Sequence, residues 1–276
     1  MARKAVAKKE DEKSLATQLP DFMAGHERHG AETLDSDIVE VPRVKLLQAL
    51  SPELEENEEL RAGEWYHNVN DQGLGKEFNF IPCYVFKSII LWRPRNDGGG
   101  ILARSFDGKT WDQPDQEFDV ELKGGTQVTW KTGKNVESSG LTKWGSENPS
   151  DPNSPPAATI MINVVAYSPD YEEGSPFVIT FQRSSFKIGK KLGGNLKMSA
   201  APIYGRVFKI SSKKVEGAEG PYLEPRVLGV GLVQEAGVFA RTSEIYESFK
   251  DQKITFDVGE EEDKQGTDTS SDTDAY

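Results

Sequence analysis

The sequence predicts a mainly β protein, either an OB-like Greek-key barrel or a sandwich, with one or two helices and disordered termini. Short runs rich in aromatic and β-branched residues recur through the middle of the chain, and clusters of Gly, Pro, Asn and Asp separate them. Helical periodicity is confined to a few segments. The 276 residues are enough for one large domain or two small ones with a sizeable core.

The N-terminal part of the chain is polar before it becomes apolar. Residues 1–40 alternate in charge and predict a flexible polar arm. Residues 41–50 are the first apolar stretch and predict a strand or a docking segment. Residues 51–59 predict a short helix, because Ser51 suits the N-cap, Pro52 suits the first turn and acidic residues follow near the helix start.

The β-rich core is predicted to extend from residue 41 to residue 256. Its strands are expected at residues 78–86, 88–92, 127–131, 159–167, 177–181, 203–210 and 226–233. Residues 184–198 have apolar side chains at near-helical intervals, although two adjacent glycines weaken that pattern. Residues 235–250 predict an amphipathic closing helix.

The charge of the chain is concentrated at its ends. The formal net charge is −12, from 45 acidic and 33 basic residues. Residues 1–64 contribute −6, residues 257–276 contribute −7, and the 192 residues between them contribute +1. The sign of the total therefore does not argue against a polyanionic partner, because the predicted core is nearly neutral.

Within that core, residues 174–215 contain nine cations and no Asp or Glu. One interpretation is an electrostatic track for a polyanion. The other is a solvated surface whose charge is balanced by acidic neighbours in three dimensions. The candidate nucleic-acid-binding cations of this window are Arg183, Lys187, Lys190, Lys191, Lys197, Arg206 and Lys209.

Aromatic residues lie beside cations at several points, which is the pattern of a base-stacking surface. Trp92 ends a predicted strand beside Arg93 and Arg95, and Arg104 follows across a glycine loop, so a hairpin would present them on one rim. The other candidates are Trp130 and the set Tyr204, Arg206 and Phe208, which alternation places on one strand face. The alternative is that the tryptophans are core residues and that Tyr204 and Phe208 pack under a helix.

No catalytic, metal or cofactor motif is recognisable, so we expect no enzyme activity, no cofactor and no metal. Cys83 is the single cysteine, which excludes an intramolecular disulfide and suits a reducing cytoplasm. No run approaches 18 apolar residues, so we expect no membrane span. The first residues also lack the apolar region of a secretory signal.

Residues 257–276 predict a disordered acidic tail, because they contain little apolar surface to bury. The acidic residues are spread along the segment, and the chain ends on an aromatic residue. Such a polyanion fits a basic groove with an apolar pocket. The candidate partner-binding residues of the tail are Glu260, Glu261, Glu262, Asp263, Asp272, Asp274 and Tyr276.

A β-rich middle followed by an acidic, aromatic-terminated tail resembles the bacteriophage single-stranded-DNA-binding proteins. The runs at residues 41–63 and 89–104 are also similar to proteins of tailed phages. The resemblance implies an OB-fold core and non-sequence-specific binding of single-stranded DNA in replication or recombination. It also implies a tail that competes for the DNA groove and recruits replication or recombination proteins.

Two other functions remain open at this point. One is a phage virion structural or assembly protein, whose tryptophans would lie in the core. The other is a transcription or replication accessory factor that acts through protein contacts alone. A homo-oligomer is compatible with each of these functions.

Overall fold

The computed structural model describes residues 42–171, 175–217 and 220–251. The predicted N-terminal arm, residues 1–40, and the predicted acidic tail, residues 257–276, lie outside this part of the chain. The division of the chain into arm, core and tail therefore stays a prediction.

The first elements form a small antiparallel sheet of three strands. The strands are β1 (Val44–Leu46), β2 (Trp65–His67) and β3 (Gln72–Gly73), in that order. The short helix α1 (Glu53–Glu56) lies between β1 and β2 and is shorter than residues 51–59. Pro52 is at its N-cap, while the Ser51 hydroxyl accepts the Gln48 N–H at 2.9 Å and caps the preceding turn instead.

The main sheet is antiparallel and has six strands. They are β4 (Glu77–Trp92), β5 (Ile101–Ser105), β8 (Ala158–Tyr167), β9 (Phe177–Phe181), β10 (Arg206–Gly217) and β11 (Gly220–Leu232). The sheet is built around the long strand β4. Its spatial order is β11-β10-β4-β8-β9, and β5 pairs with the same edge of β4 as β10 does.

Two predicted strands, residues 78–86 and 88–92, are one continuous strand in the structure. Lys87 is exposed and interrupts the apolar pattern, but it pairs with Ile162 of β8 like its neighbours. The predicted strand at residues 203–210 also begins later than expected. A short 3-10 turn, Ile203–Gly205, follows Pro202, and β10 begins at Arg206.

The two faces of the main sheet are covered by different helices. On one face, the buried residues Leu192 and Leu196 of helix α3 (Phe186–Lys197) pack with Phe181 and Val164. We call this the α3 face. On the opposite face, which we call the α4 face, Ile245 of helix α4 (Ala236–Lys250) packs with residues of β4 and β8 that include Cys83 and Met161.

A hairpin covers the far half of β4. Its strands are β6 (Glu117–Glu121) and β7 (Gln127–Lys131), and helix α2 (Val136–Ser139) follows. Their buried side chains form a second cluster with Ile89 and Leu91 of β4. Alternation along β4 puts Ile89 and Leu91 on the α3 face, so one strand supports two apolar cores.

The described strands confirm the mainly β prediction, but they form open sheets that are not closed into a barrel. The described residues contain four helices rather than one or two. No helix in this part of the chain combines the length and apolar character needed to cross a membrane.

Candidate nucleic-acid interface

Helix α3 lies on the sheet because one of its faces is apolar and closely packed. A Cβ at Gly189 would lie 2.7 Å from Phe181 Cβ and 3.2 Å from Ile162 Cδ1, so only glycine permits this approach. Leu192 and Leu196 follow at helical spacing and are buried in the same core. The inner face of α3 is therefore fixed by packing, and its orientation decides where its cations lie.

The outer face of α3 is basic. Lys187, Lys190 and Lys191 are exposed and have the i, i+3, i+4 spacing of neighbours on one helix face. Lys197 is also exposed, about three turns from Lys187. Among the residues that the structure describes, none of these four side chains has a carboxylate within salt-bridge distance. We call Lys187, Lys190, Lys191, Gly193, Gly194 and Lys197 the basic face.

Two glycines on the basic face have no packing explanation. A Cβ at Gly193 or Gly194 would meet nothing within 4 Å, in contrast to Gly189. A glycine inside a helix costs roughly 0.5–1 kcal/mol relative to alanine. Their effect on the surface is to leave helix backbone uncovered between the lysine side chains.

Arg183 extends the cationic surface before the helix begins. Its side chain is exposed, and its φ of 46° is in the left-handed region, which is uncommon for a residue other than glycine. It opens the 3-10 turn Arg183–Ser185 that leads into α3, where Gln182 and Ser185 cap each other. This turn places the Arg183 guanidinium group at the entrance to α3.

The predicted trio on β10 is arranged differently from a stacking surface. Phe208 is 1% exposed and belongs to the core, so its predicted stacking role is wrong in this fold. Arg206 shares its face, as predicted. Its guanidinium group lies 5.1 Å from the Phe208 ring centre and donates to the Asn195 carbonyl of α3 at 2.7 Å. Arg206 therefore joins β10 to α3.

Two other predicted residues near β10 have partners inside the fold. Tyr204 lies in the 3-10 turn before β10, and its ring contacts those of Phe239 and Tyr246 on α4 at 5.5 and 5.1 Å. Lys209 forms an ion pair with Glu77 at 2.9 Å. Neither residue belongs to the basic face.

The predicted hairpin around the glycine loop is present, because β4 and β5 pair antiparallel. Trp92 is half-buried among apolar residues of the α4 face, and Arg104 is paired with Ile90 of that face. Arg93 forms an ion pair with Asp97 at 2.7 Å, and Arg95 is exposed. The hairpin is therefore as predicted, whereas the positive charge of Arg93 is already compensated within the fold.

Trp130 is a core residue. It is 3% exposed, and its Nε1–H donates to the Glu147 carbonyl at 3.0 Å. Its neighbours in the hairpin cluster include Val120 and Leu141. The predicted role of Trp130 in base stacking is therefore wrong in this fold, and the core interpretation of this tryptophan is the better one.

The predicted cations and aromatic residues do not form one groove. The lysines of the basic face lie on the helix that covers the α3 face, whereas Trp92, Arg104 and Tyr204 lie on the α4 side of the sheet. The strands of the main sheet separate the two groups. A polyanion on the basic face would therefore meet lysines without the predicted aromatic partners.

Sequence reasoning missed one aromatic pair. The rings of Tyr84 and Phe86 on β4 are stacked with their centres 6.3 Å apart, and both side chains are half-buried. The i, i+2 spacing of two aromatic residues in a strand was the available signal, since such residues share a face. The pair lies with Trp92 on the α4 face.

The structure offers no metal centre among the described residues, where no three His, Cys, Asp or Glu side chains are grouped suitably. His67 is buried and its ring stacks on that of Tyr171 at 5.2 Å. The expectation that the protein needs no cofactor stays a prediction.

These features define a mainly β protein with a basic helix on its surface, and comparison with known families adds its origin. Residues 10–255 match the model of a family described as Pam3 phage gp34-like protein. The chain belongs to this Pam3 phage gp34-like family, and the phage part of the expected resemblance is confirmed. Comparisons with curated proteins and with solved structures gave no match.

Proposed function

We propose that this phage protein binds single-stranded DNA without sequence preference, in replication or recombination of phage DNA in the host cytoplasm. The observation that carries the proposal is the basic face of α3. Its four lysines are exposed without carboxylate partners among the described residues. Cations that are free of internal ion pairs are available to neutralise phosphates, which releases counterions and drives binding.

The two glycines of the basic face support the same proposal. With no side chain at Gly193 or Gly194, a phosphodiester backbone can approach the helix while lysines contact it from both sides. Phosphate contacts carry no sequence information, so binding through this face is non-specific. The proposal does not require an OB-like barrel, since the contact surface is a helix.

The acidic tail completes the proposal as a competitor for the basic face. A tethered segment with a net charge of −7 has a high effective concentration at a cationic surface of the same chain. When DNA displaces it, the tail residues from Glu260 to Tyr276 become available to replication or recombination proteins. This regulation would suppress weak binding more than tight binding.

The proposal is tested by reversing the charge of the basic face. We expect the triple variant K187E/K190E/K191E to bind a fluorescently labelled oligo-dT at least about tenfold more weakly at low salt. The slope of log K against the logarithm of the salt concentration should also be less steep by about 2, because each lost phosphate contact reduces the slope by roughly 0.7. Fluorescence anisotropy across a salt series measures both quantities.

The matched control is K109E/K134E/K143E, which changes the net charge equally at exposed lysines in and near the hairpin region. We expect it to bind nearly as well as the unaltered protein. Equal loss in both triple variants would show a general charge effect and contradict the assignment to α3. Absence of any salt-dependent binding by the full chain and by a chain lacking residues 257–276 would refute the proposed function.

A further inference from the structure

The outer edge of β11 is uncovered over its last seven residues, which after Arg226 are all aliphatic or glycine. We call residues 226–232 the β11 edge. Leu228, Val230 and Leu232 are 46%, 58% and 53% exposed, although residues of this kind are usually buried. β11 is the terminal strand of the main sheet, and no backbone hydrogen bond within the described residues reaches its outer side here. Such an edge is a template for another strand.

Other segments of the chain contact two further positions on the borders of the sheet. In the first half of β11, the Gln48 side chain accepts the Leu223 N–H at 3.0 Å and donates to the Leu223 carbonyl at 2.9 Å. At the opposite side of the sheet, the Val178 N–H of β9 donates to the Pro42 carbonyl at 2.8 Å. The β11 edge differs from these two positions by its lack of cover.

We propose that the β11 edge pairs antiparallel with the same edge of a second copy of this chain. Residues 227–233 have the sequence Val-Leu-Gly-Val-Gly-Leu-Val, which is identical in both directions. A two-fold arrangement therefore places apolar residues and glycines of one copy against apolar residues and glycines of the other. The nearest charged residues, Arg226 and Glu235, lie outside this segment, so no like charges are opposed near its centre.

The two-fold symmetry limits this contact to two copies, and a bulge limits its length. Val230 is an extra residue in β11, because Gly229 pairs with Phe208 and Gly231 pairs with Val207. Such a bulge shortens the regular stretch that a partner strand can use. The contact is isologous and closes on itself.

The contact is small, which sets its strength. A stable interface buries about 800 Å² per partner, and a seven-residue strand edge provides less than this. We therefore expect a dimer that dissociates on dilution. Exposed Phe239 lies beside Gly205, next to the end of the β11 edge, and adds apolar surface there.

The pairing also has a consequence for the position of the basic face. The relevance of this consequence to DNA binding rests on the proposed function. A two-fold axis perpendicular to a sheet leaves each copy's faces on their original sides. Arg206, which pairs with Leu232 at the end of the β11 edge, donates to the α3 residue Asn195. The two α3 helices would thus lie on one side of the joined sheet, near the interface.

Sedimentation velocity of the full chain across a concentration series tests the proposal without nucleic acid. We expect a monomer of 30.6 kDa at low concentration and a dimer at high concentration. The variant L228E/V230E should raise the dissociation constant more than tenfold. The control L50E/V69E introduces the same charges at exposed residues elsewhere and should dimerise normally. A monomer at every concentration, or an unaffected L228E/V230E, would overturn the proposal.

A cross-linking experiment locates the contact directly. The V230C variant should form a disulfide-linked dimer under mild oxidation, because the two-fold axis brings the two cysteines together. The control V69C has a similarly exposed cysteine and should stay largely monomeric. The native Cys83 is buried and burial raises its pKa to about 12, so it does not interfere. Equal cross-linking of V230C and V69C would contradict the assignment to β11.

Discussion

At the scale of single residues, Asp107 organises the loop after β5. Its carboxylate accepts hydrogen bonds from the Lys109 and Thr110 backbone N–H groups at 2.7 and 2.8 Å, and from the hydroxyls of Thr110 and Ser105. Burial alone would raise the pKa of Asp107, but these hydrogen bonds outweigh it and lower the pKa from 3.8 to about 2. The ionised form is therefore favoured in the folded state.

The lowered pKa of Asp107 predicts a pH-dependent contribution to stability. A carboxylate with a depressed folded pKa stabilises the protein above its unfolded pKa, and this contribution is lost as the pH falls through the folded value. We expect D107N to lower the free energy of unfolding at pH 7 by about 1 kcal/mol, after allowance for solvent screening. The difference in the free energy of unfolding between D107N and the unaltered protein should narrow as the pH falls from 3.8 towards about 2.

Urea unfolding of both proteins across this pH range measures the effect of D107N. The control E137Q removes one negative charge from an exposed side chain and should change the stability little at any pH. A constant difference between D107N and the unaltered protein from pH 7 to pH 2 would show that the charge of Asp107 is not responsible.

At the scale of elements, α3 contains glycines with opposite roles in one helix. Gly189 has Phe181 against it, while Gly194 has open space around it. We expect G194A to stabilise the protein by roughly 0.5–1 kcal/mol, because alanine is the better helix former. We expect G189A to destabilise it, because the added Cβ overlaps Phe181.

Thermal unfolding shows whether G194A raises and G189A lowers the stability of the protein. Oligo-dT binding tests whether G194A also changes the affinity for DNA. If phosphate approaches the uncovered backbone, G194A should weaken binding several-fold while it raises the unfolding temperature. Stabilisation with unchanged affinity would mean that Gly194 does not contact DNA, although the lysines of the basic face remain candidates.

Local sequence signals predicted many elements well and the contacts between them poorly. Strands β7 and β9 occupy the predicted residues 127–131 and 177–181, because turn residues bound their apolar patterns on both sides. Alternation also placed Arg206 and Phe208 on one face correctly. It did not indicate that this face is inside, because Phe208 is buried by pairing with Phe80, which is distant in sequence.

Because local signals do not predict contacts between elements, they did not show that the predicted cations and aromatic residues lie on different sides of the sheet. The lysines at 187–191 were recognisable as one group because a helix face is a local property. Whether Trp92 shares a surface with them depends on which side of the sheet α3 and α4 pack. That choice follows from the complete strand order, which the local pattern around Trp92 does not contain.

At the scale of the whole molecule, the charge distribution predicts the effect of the tail. Residues 257–276 carry −7 of the net −12. If the tail competes for the basic face, a chain lacking these residues should bind oligo-dT more tightly at low salt, and the gain should shrink at high salt because screening weakens both contacts.

Fluorescence anisotropy is the better measurement for the tail deletion, since Trp65, Trp111 and Trp130 are buried and would report poorly on bound DNA. A control chain with the tail acids replaced by the corresponding amides should behave like the deletion. Unchanged or weaker binding by both would exclude competition by the tail.

The long strand β4 also has a consequence for how the protein folds. β8 pairs along most of its length, β5 pairs at one end and β10 pairs at the other. The last of these partners in the chain begins at Arg206, so the edge of β4 at Phe78 and Phe80 stays unpaired in a growing chain until β10 has been made. Contacts between such distant segments slow folding. During synthesis, the edge of an apolar strand therefore stays unpaired for an interval in which it is prone to aggregate.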